Sequence, residues 1–176
     1  MVALVSINKM SNMKKINLSV LLCLLVGCSR LTVDNSVVTD FDLNRFLGSW
    51  YEIARFDHKF ERGMDQTKAT YTLRKDGKVE VRNTGMKAGK PYEAKGVAKL
   101  TDTPALLRVS FWGPFYSDYR VLLVDDYRYA LVGGSNDDYL WILSRTPQIS
   151  NDTKDTILDE ASRRGYDTAK LIWVGQ

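Results

Sequence analysis

Apolar and polar residues alternate along most of the chain after residue 41, in short runs that Gly, Pro, Asn or Asp residues separate. Such alternation is typical of strands that bury one face. We predict eight strands, over residues 50–56, 69–73, 79–83, 92–100, 106–112, 119–124, 129–133 and 139–144. The clearest turns between them are Lys75-Asp76-Gly77, the segment 85–91 and Gly113-Pro114.

The hydrophobic period changes to that of a helix after Ser150, which is a good N-cap. The apolar stripe of this helix consists of Ile157, Leu158 and Ala161, and Gly165 follows its end. A last short strand is predicted over residues 171–174. The fold class is therefore all-β: an eight-stranded antiparallel up-and-down barrel with a C-terminal α-helix packed on its wall, because closure removes exposed strand edges.

The chain before residue 28 has a different pattern. Lys14 and Lys15 precede an apolar run over 16–26, which is too short to span a bilayer and ends in Leu25-Val26-Gly27-Cys28. This order resembles the signal peptide and lipobox of bacterial lipoproteins. The resemblance implies a signal peptide over 1–27, lipid attachment at Cys28, a lipid-anchored tether over 28–40 and a barrel domain over 41–176. An ordinary secretory signal with a chance cysteine is the alternative.

Removal of a signal peptide changes the charge balance and the cysteine count. The chain has 25 Lys and Arg residues against 21 Asp and Glu residues, but three of the lysines precede Cys28. The mature chain would therefore be nearly neutral, which gives no support for a nucleic-acid partner. Cys23 would leave with the signal, and Cys28 would carry lipid, so no disulfide is expected. In the lipoproteins that this segment resembles, an Asp after the cysteine tends to retain the protein in the inner membrane, whereas a Ser, here Ser29, permits sorting to the outer membrane. We expect an outer-membrane location with the barrel facing the periplasm.

Three short motifs resemble those of the lipocalin family. Gly48-Ser49-Trp50 resembles the Gly-x-Trp motif at the first strand, and Ser144-Arg145-Thr146-Pro147 resembles the arginine motif before the helix. Asp125-Asp126-Tyr127 resembles the family's turn after the sixth strand only loosely, since Val124 stands where Thr is usual. The resemblance implies that Gly48, Trp50 and Arg145 are fold residues. It places the Trp50 side chain in the closed end and the Arg145 side chain over its indole.

The resemblance also implies a function: an outer-membrane lipocalin that binds, stores or transports fatty acids or lysophospholipids. Alternation from Trp50 puts Glu52, Ala54 and Phe56 on the inward face, and Leu123 is expected inward on the sixth strand. The predicted ligand-binding residues are Ala69, Tyr71, Val81, Asn83, Val109, Phe111, Tyr119, Val121, Tyr139 and Trp141. Small inward residues on the fourth strand, Ala94, Gly96 and Ala98, are expected to leave room for the ligand.

The first long loop, over residues 57–66, is the predicted lid, with Phe60 and Met64 as apolar tips. His58 is expected to be exposed on this loop. An inward carboxylate is costly unless it is paired, so Glu52 is expected to pair with Arg145 or with a tyrosine hydroxyl.

The sequence lacks the usual signatures of catalysis and of metal binding. It has one histidine, no Gly-x-Ser-x-Gly elbow and no His-Cys cluster, so we predict no enzyme activity, no cofactor and no metal. The alternatives are a small-barrel lipid-modifying enzyme, a haem-binding barrel that uses His58 and a structural envelope lipoprotein with a filled core. The expected partners are the lipid ligand and the membrane, with a monomer and a homodimer both left open.

Overall fold

The computed structural model describes residues 33–176. The predicted signal peptide, the lipid attachment at Cys28 and the first part of the tether lie outside the described residues. The helices are α1 (Leu43–Phe46) and α2 (Asn151–Arg163), with a 3-10 turn at Thr168–Lys170. The strands are β1 (Gly48–Phe56), β2 (Met64–Leu73), β3 (Val79–Lys87), β4 (Lys90–Leu100), β5 (Leu106–Trp112), β6 (Phe115–Asp125), β7 (Tyr129–Gly133), β8 (Leu140–Ser144) and β9 (Leu171–Trp173).

Each of the first eight strands pairs antiparallel with the next, and β1 pairs with both β8 and β2, so the sheet closes. The short β9 adds to the end of β1. This architecture confirms the predicted barrel with a C-terminal helix. The β1–β2, β3–β4, β5–β6 and β7–β8 connections all lie at one end, which we call the open end. No helix among residues 33–176 is long and apolar enough to cross a membrane.

Several strands are longer than the sequence pattern predicted. The segment 85–91 was expected to be a turn, but β3 and β4 continue to a tight turn at Ala88-Gly89, with Gly85 opposite Tyr92 and Met86 opposite Pro91. The strand β6 likewise begins at Phe115. These extensions carry backbone pairing past the end of the core. Because neither face of these strand ends is buried, their sequence does not alternate between apolar and polar residues, although the backbone hydrogen bonds between the strands continue.

The closed end is built on Trp50, whose side chain is fully buried. Its Nε1 donates to the carbonyl of Phe46 at 2.7 Å, and the ring of Phe46 lies 4.9 Å from its own ring. The Arg145 guanidinium lies 3.8 Å from the Trp50 ring, as the family resemblance implied. The same guanidinium donates to the carbonyls of Arg45, Leu47 and Ser49. Arg145 therefore ties α1 and the start of β1 together over the indole.

The backbone conformation at position 48 requires a glycine. Its φ is +93°, and a Cβ at this position would lie 3.4 Å from Arg145 Nη1. Any other residue would be strained at this φ and would crowd the guanidinium.

A β-bulge in β1 reverses the faces of the residues that follow it. Glu52 lies opposite Leu143, whereas Ala54 lies opposite Ile142, so Ile53 is the additional residue. Beyond the bulge, Arg55 faces inward, and Ala54 and Phe56 face outward. The prediction that Ala54 and Phe56 face inward was wrong, because strict alternation does not survive an inserted residue.

A second bulge has the same effect in β6. Val121 lies opposite Val132 and Leu123 lies opposite Leu131, so the run 121–124 contains one additional residue. Leu122 and Leu123 both face outward, which corrects the expected inward position of Leu123. The outward residues of the barrel form a second core together with residues of α2 and the C-terminal segment: Ile53, Ala54, Phe56, Leu122, Leu131, Leu140, Ile142, Ile157, Ala161, Tyr166 and Leu171.

The helix α2 begins as the sequence predicts. The Ser150 side chain accepts a hydrogen bond from the Thr153 amide at 3.2 Å, and Ile157 and Ala161 are fully buried against the barrel wall. The helix and the outer face of the barrel wall therefore share one hydrophobic core, and the barrel interior contains a separate one.

Candidate ligand-binding site

The barrel interior changes from packed to accessible along its axis. Inward residues near the closed end are almost completely buried: Trp50, Val79, Val81, Ala98, Leu107, Val121, Ala130, Val132 and Leu143. Inward residues on other parts of the wall remain only half-buried: Ala69, Asn83, Ala94, Val109, Phe111, Tyr119 and Trp141. A packed core would bury all of them. The lower interior is therefore filled, and the upper interior keeps accessible space.

The structure places the ten predicted ligand-binding residues at different depths. Val81 and Val121 belong to the packed lower core, at 3% and 0% exposure. Tyr139 lies just before β8 at the open end, where its ring stacks on Trp141 at 5.9 Å. Tyr71 is 6% exposed and belongs to the same buried cluster as Val81, and the other six residues are half-buried in the barrel interior. Alternation predicts which face a side chain occupies but not its depth, so the sequence could not separate these groups.

Two tyrosines form the floor of the accessible space. Tyr71 on β2 and Tyr119 on β6 come from opposite sides of the barrel, and their hydroxyl oxygens are 2.7 Å apart. The ring of Phe46 contacts both from below. Burial raises the pKa of both phenols, so each stays a neutral hydroxyl. The deep end of the space therefore presents aromatic rings and one hydroxyl pair.

Phe111 lies flat on one wall because the facing residue is a glycine. A Cβ on Gly96 would lie 2.9 Å from carbons of the Phe111 ring and 2.8 Å from the Ser110 carbonyl oxygen. The absence of a side chain at Gly96 therefore lets the aromatic ring cover the sheet instead of projecting across the interior.

A buried ionic cluster occupies the upper interior on the side of β1. Glu52, Arg55 and Glu61 are 4%, 2% and 4% exposed. Arg55 Nη1 donates to Glu52 Oε1 at 2.6 Å, and Arg55 Nη2 donates to the carbonyls of Glu61 and Met64 at 2.9 and 3.1 Å. The expected partner of Glu52, Arg145 or a tyrosine, was wrong. The bulge at Ile53 turns Arg55 inward and makes it the partner.

His58 completes this cluster and is buried, at 7% exposure, so the prediction of an exposed histidine was wrong. Its ring stacks on Phe60 at 4.0 Å and lies 5.1 Å from Trp141, and these two rings cover it. His58 Nε2 lies 3.1 Å from Glu61 Oε2, without the alignment of a hydrogen bond. Trp141 Nε1 donates to the same Glu61 oxygen at 3.1 Å.

The cluster holds two carboxylates against one guanidinium, and this imbalance is seen in the pKa of Glu52. Burial, followed by the charge of Glu61, raises that pKa from 4.5 to about 8, although the hydrogen bond from Arg55 opposes the rise. Glu52 therefore holds a proton at neutral pH. The upper interior thus carries a buried guanidinium beside a carboxyl group that keeps its proton well above the usual pH range.

Glu52 makes protein stability depend on pH. Its folded-state pKa of about 8 lies above the unfolded value of 4.5, so the folded state binds the additional proton between these limits. The free energy of unfolding should therefore fall as pH rises through this window, by up to about 1.4 kcal/mol per pH unit. Urea unfolding of the wild type and of Glu52→Gln at several pH values tests this, because the variant should lose the slope.

Glu93→Gln is the matched control, since Arg82 lowers the pKa of the exposed Glu93 carboxyl and its contribution changes only in acid. Parallel stability curves for the wild type and Glu52→Gln between pH 5 and 8 would show that Glu52 is not protonated in the folded state.

The lid is shorter than the predicted 57–66 loop. Phe60 is 51% exposed, but Met64 is 2% exposed and begins β2. The expectation that Met64 is an apolar tip of the lid was wrong, because its side chain packs inward against Gly85. Arg55 holds the end of the loop through the Glu61 and Met64 carbonyls.

An open hollow of about 760 Å³ lies outside the lid. It is lined by Phe56, Asp57, His58, Lys59, Phe60, Arg62, Asp137, Asp138, Tyr139 and Lys170. Its charged rim and aromatic base lie directly beside the buried His58.

Three polar atoms on neighbouring strands of the upper interior are buried without a hydrogen-bond partner among the described residues. They are Arg55 Nε on β1, Thr67 Oγ1 on β2 and Asn83 Oδ1 on β3. Buried polar groups are normally satisfied by protein or by an ordered molecule. A bound molecule could therefore accept a hydrogen bond from Arg55 Nε, donate one to Asn83 Oδ1, and pair with the Thr67 hydroxyl in either direction. Within residues 33–176 no group of His, Cys, Asp or Glu side chains is arranged to hold a metal ion.

Comparison with known proteins identifies this barrel. A family model described as a lipocalin-like domain matches residues 41–176. The chain belongs to the lipocalin family.

Two bacterial relatives of this lipocalin carry the name outer membrane lipoprotein Blc. The one from Escherichia coli K12 is 51% identical over 160 residues, covering 87% of this chain and 90% of the relative. The one from Vibrio cholerae is 45% identical over 159 residues, covering 87% and 93%. Insecticyanin from the tobacco hornworm has the same fold, with a TM-score of 0.69 at 24% identity over 80% of this chain and 84% of its own.

These relatives confirm the family that the motifs indicated and the lipid-anchored outer-membrane location. They also support a lipid-binding function, since the lipocalins are a family of binding proteins. Sequence reasoning on this lipocalin missed Arg55, Glu61, His58 and Thr67 as interior groups. The one available signal was the inward carboxylate of Glu52, which required a buried cation nearby.

Proposed function

We propose that this lipocalin binds a single-chain amphiphile, a fatty acid or a lysophospholipid, and stores or transports it in the cell envelope. The observation that carries the proposal is the gradient of chemistry along the barrel interior. The floor is aromatic and apolar, whereas the upper wall holds Arg55, Thr67 and Asn83 with unpartnered polar atoms. An amphiphile with its chain toward the floor and its polar group near the open end matches both parts.

The acyl chain supplies most of the binding free energy in this proposal. Val109, Phe111, Tyr119 and Trp141 offer accessible apolar surface inside the barrel. Each buried methylene contributes about 0.8 kcal/mol, which is offset in part by the cost of association and ordering. A chain of about fifteen methylenes contributes about 12 kcal/mol and therefore reaches micromolar affinity after about 4 kcal/mol of these costs, without a specific contact to the polar group.

The ionic cluster would select the polar group of the ligand. The two Nη atoms of Arg55 donate hydrogen bonds to Glu52 and to two backbone carbonyls, but its Nε–H has no acceptor among the described residues. A phosphate or carboxylate oxygen would accept that N–H, and a glycerol hydroxyl would pair with Thr67 or Asn83. The Phe60 side of the lid covers this region.

Catalysis is not part of the proposed function. The His58–Glu61 contact is the arrangement nearest to that of an enzyme, since a carboxylate often orients a catalytic histidine. A hydrolase also needs a nucleophile hydrogen-bonded to that histidine. Among the described residues, no side chain forms a hydrogen bond to either His58 nitrogen.

The proposal includes the predicted organisation of the chain. Residues 1–27 are removed as a signal peptide, Cys28 carries the lipid, and residues 28–40 join it to the barrel over 41–176. The barrel faces the periplasm.

Native mass spectrometry of the intact lipoprotein after mild detergent extraction tests this function. We expect a co-purified fatty acid or lysophospholipid, seen as a discrete additional mass that organic solvent releases. A protein that carries no such mass, and that also fails to bind a fluorescent fatty acid in titration, would contradict the proposal.

Filling the upper interior should abolish binding. Ala94→Phe places a ring on the inward face of β4, and the fluorescent fatty acid should then lose at least about tenfold in affinity, because the chain loses two or more methylenes of buried contact. The control is Lys95→Phe, which adds the same ring to the outward face one residue later. Equal affinities for the two variants would place the ligand elsewhere.

A further inference from the structure

The open end carries a group of exposed aromatic side chains that ligand binding inside the barrel does not require. Trp112 and Phe115 are 83% and 79% exposed at the tip of the β5–β6 hairpin, Phe60 is 51% exposed on the β1–β2 connection, and Tyr92 is 36% exposed near the start of β4. At the closed end the large exposed apolar side chains are two aliphatic ones, Leu73 and Leu100. Exposed aromatic residues at one end of a protein mark an interaction surface.

Hydrogen bonds within the β5–β6 hairpin hold its tip, and the tip contains no charged residue. The Ser110 hydroxyl donates to the Gly113 carbonyl at 3.1 Å and accepts from the Trp112 amide at 3.2 Å. Residues 109–117 contain no charged side chain. No aromatic or cation–π contact involves Trp112 or Phe115 among the described residues. The turn therefore holds two large apolar rings outward, at a cost in solvation that an interaction partner would offset.

The neighbouring hairpin adds positive charge on the same side. Lys87 and Lys90 flank the β3–β4 turn, and the Lys87 ammonium lies 5.6 Å from the Tyr92 ring. Asp137 and Asp138 lie on the β7–β8 connection, and Asp57 lies on the β1–β2 connection, where it pairs with Arg62. Aromatic rings with adjacent lysines are the composition that prefers the boundary between lipid headgroups and acyl chains.

The N-terminal segment leads to the same end of the barrel. The Asp34 amide donates to the Arg164 carbonyl just beyond α2, and Asn35 Nδ2 donates to the Ser135 carbonyl on the β7–β8 connection. Cys28 precedes Val33 by five residues, a chain that spans at most about 18 Å. A nine-residue strand such as β1 is about 30 Å long. The described part of the tether thus lies beside the open end, and the short chain from Cys28 limits how far a lipid on that residue can lie from Val33.

We propose that Trp112 and Phe115 insert into the surface of a phospholipid bilayer and hold the open end of the barrel against the membrane. The contact orients the barrel so that a single-chain lipid passes between the bilayer and the interior without crossing water. The β5–β6 side enters deepest, because the acidic β7–β8 connection is the poorer match for a headgroup layer. This docking does not depend on which molecule the barrel binds.

The test uses the intact acylated protein in vesicles of phosphatidylethanolamine and phosphatidylglycerol whose acyl chains are brominated. We expect bromine to quench part of the tryptophan fluorescence, and we expect Trp112→Phe to remove most of that quenching. The control is Trp173→Phe, which removes a 42% exposed tryptophan from the barrel wall and should retain it. Bromine quenching that is unchanged by Trp112→Phe would overturn the proposal.

A second measurement separates the bilayer from another copy of this chain. Vesicles should protect Trp112 from iodide, a soluble quencher, relative to the protein in detergent. Chemical cross-linking in detergent should give the same oligomeric state for the wild type and for Trp112→Ser/Phe115→Ser. A dimer that the double variant converts to a monomer, with no effect of brominated lipid, would assign the tip to a contact between copies and overturn membrane docking.

Discussion

Replacement of Arg55 with methionine is expected to lower the free energy of unfolding by about 3–5 kcal/mol, because it removes the guanidinium of a buried cluster and leaves its acidic groups without that partner. Glu52 and Glu61 are 4% exposed, so water cannot replace the guanidinium. The carbonyls of Glu61 and Met64 lose their donor at the same time. Urea unfolding at pH 7 measures the loss.

The destabilisation of Arg55→Met should increase as the pH rises above about 8, where Glu52 ionises in the wild type and the missing guanidinium no longer stabilises its charge. The second substitution Glu52→Gln should remove this increase, because no acid is left at that position to ionise. Arg62→Met is the control, since Arg62 pairs with Asp57 on the exposed side of the same loop and its loss should cost less than about 1 kcal/mol. Equal effects for Arg55→Met and Arg62→Met would show that the interior cluster is hydrated.

Some contacts of this protein could be predicted from its sequence, whereas those of the Arg55 cluster could not. Trp50 and Arg145 could be paired in advance, because their motif positions fix a family-wide contact, and the structure places the guanidinium 3.8 Å from the indole. Ser150 and the stripe on α2 could be predicted from local capping and helical period. Each of these features depends on near neighbours in the chain or on a short motif.

Arg55 could not be assigned in this way. Alternation from Trp50 puts Arg55 on the outer face, and only the bulge at Ile53 brings it inside. The bulge depends on how β1 meets β8 and the C-terminal segment, which is tertiary information. The burial of His58 likewise follows from Phe60 and Trp141, and the latter lies more than 80 residues away.

The lower and upper parts of the barrel interior should respond differently to substitutions. The packed lower core and the Arg145 contacts hold the closed end, and the upper interior keeps space together with unpartnered polar atoms. Stability should therefore be most sensitive near Trp50, whereas ligand affinity should be most sensitive near Ala94. A substitution that affected both properties equally would argue against this division.

Trp50→Ala is the sharpest test of the closed end and should lower the free energy of unfolding by about 3–5 kcal/mol, since it removes a fully buried ring from a packed core. Trp173→Ala, at a partly exposed position, should cost far less. Arg145→Ala should also destabilise the protein, but the two losses should not add, because each substitution removes the same cation–π contact. A double-mutant cycle should give a coupling of about 0.5–2 kcal/mol. Additive losses would mean that Arg145 acts only through the carbonyls of α1 and β1, and that the indole of Trp50 contributes by burial alone.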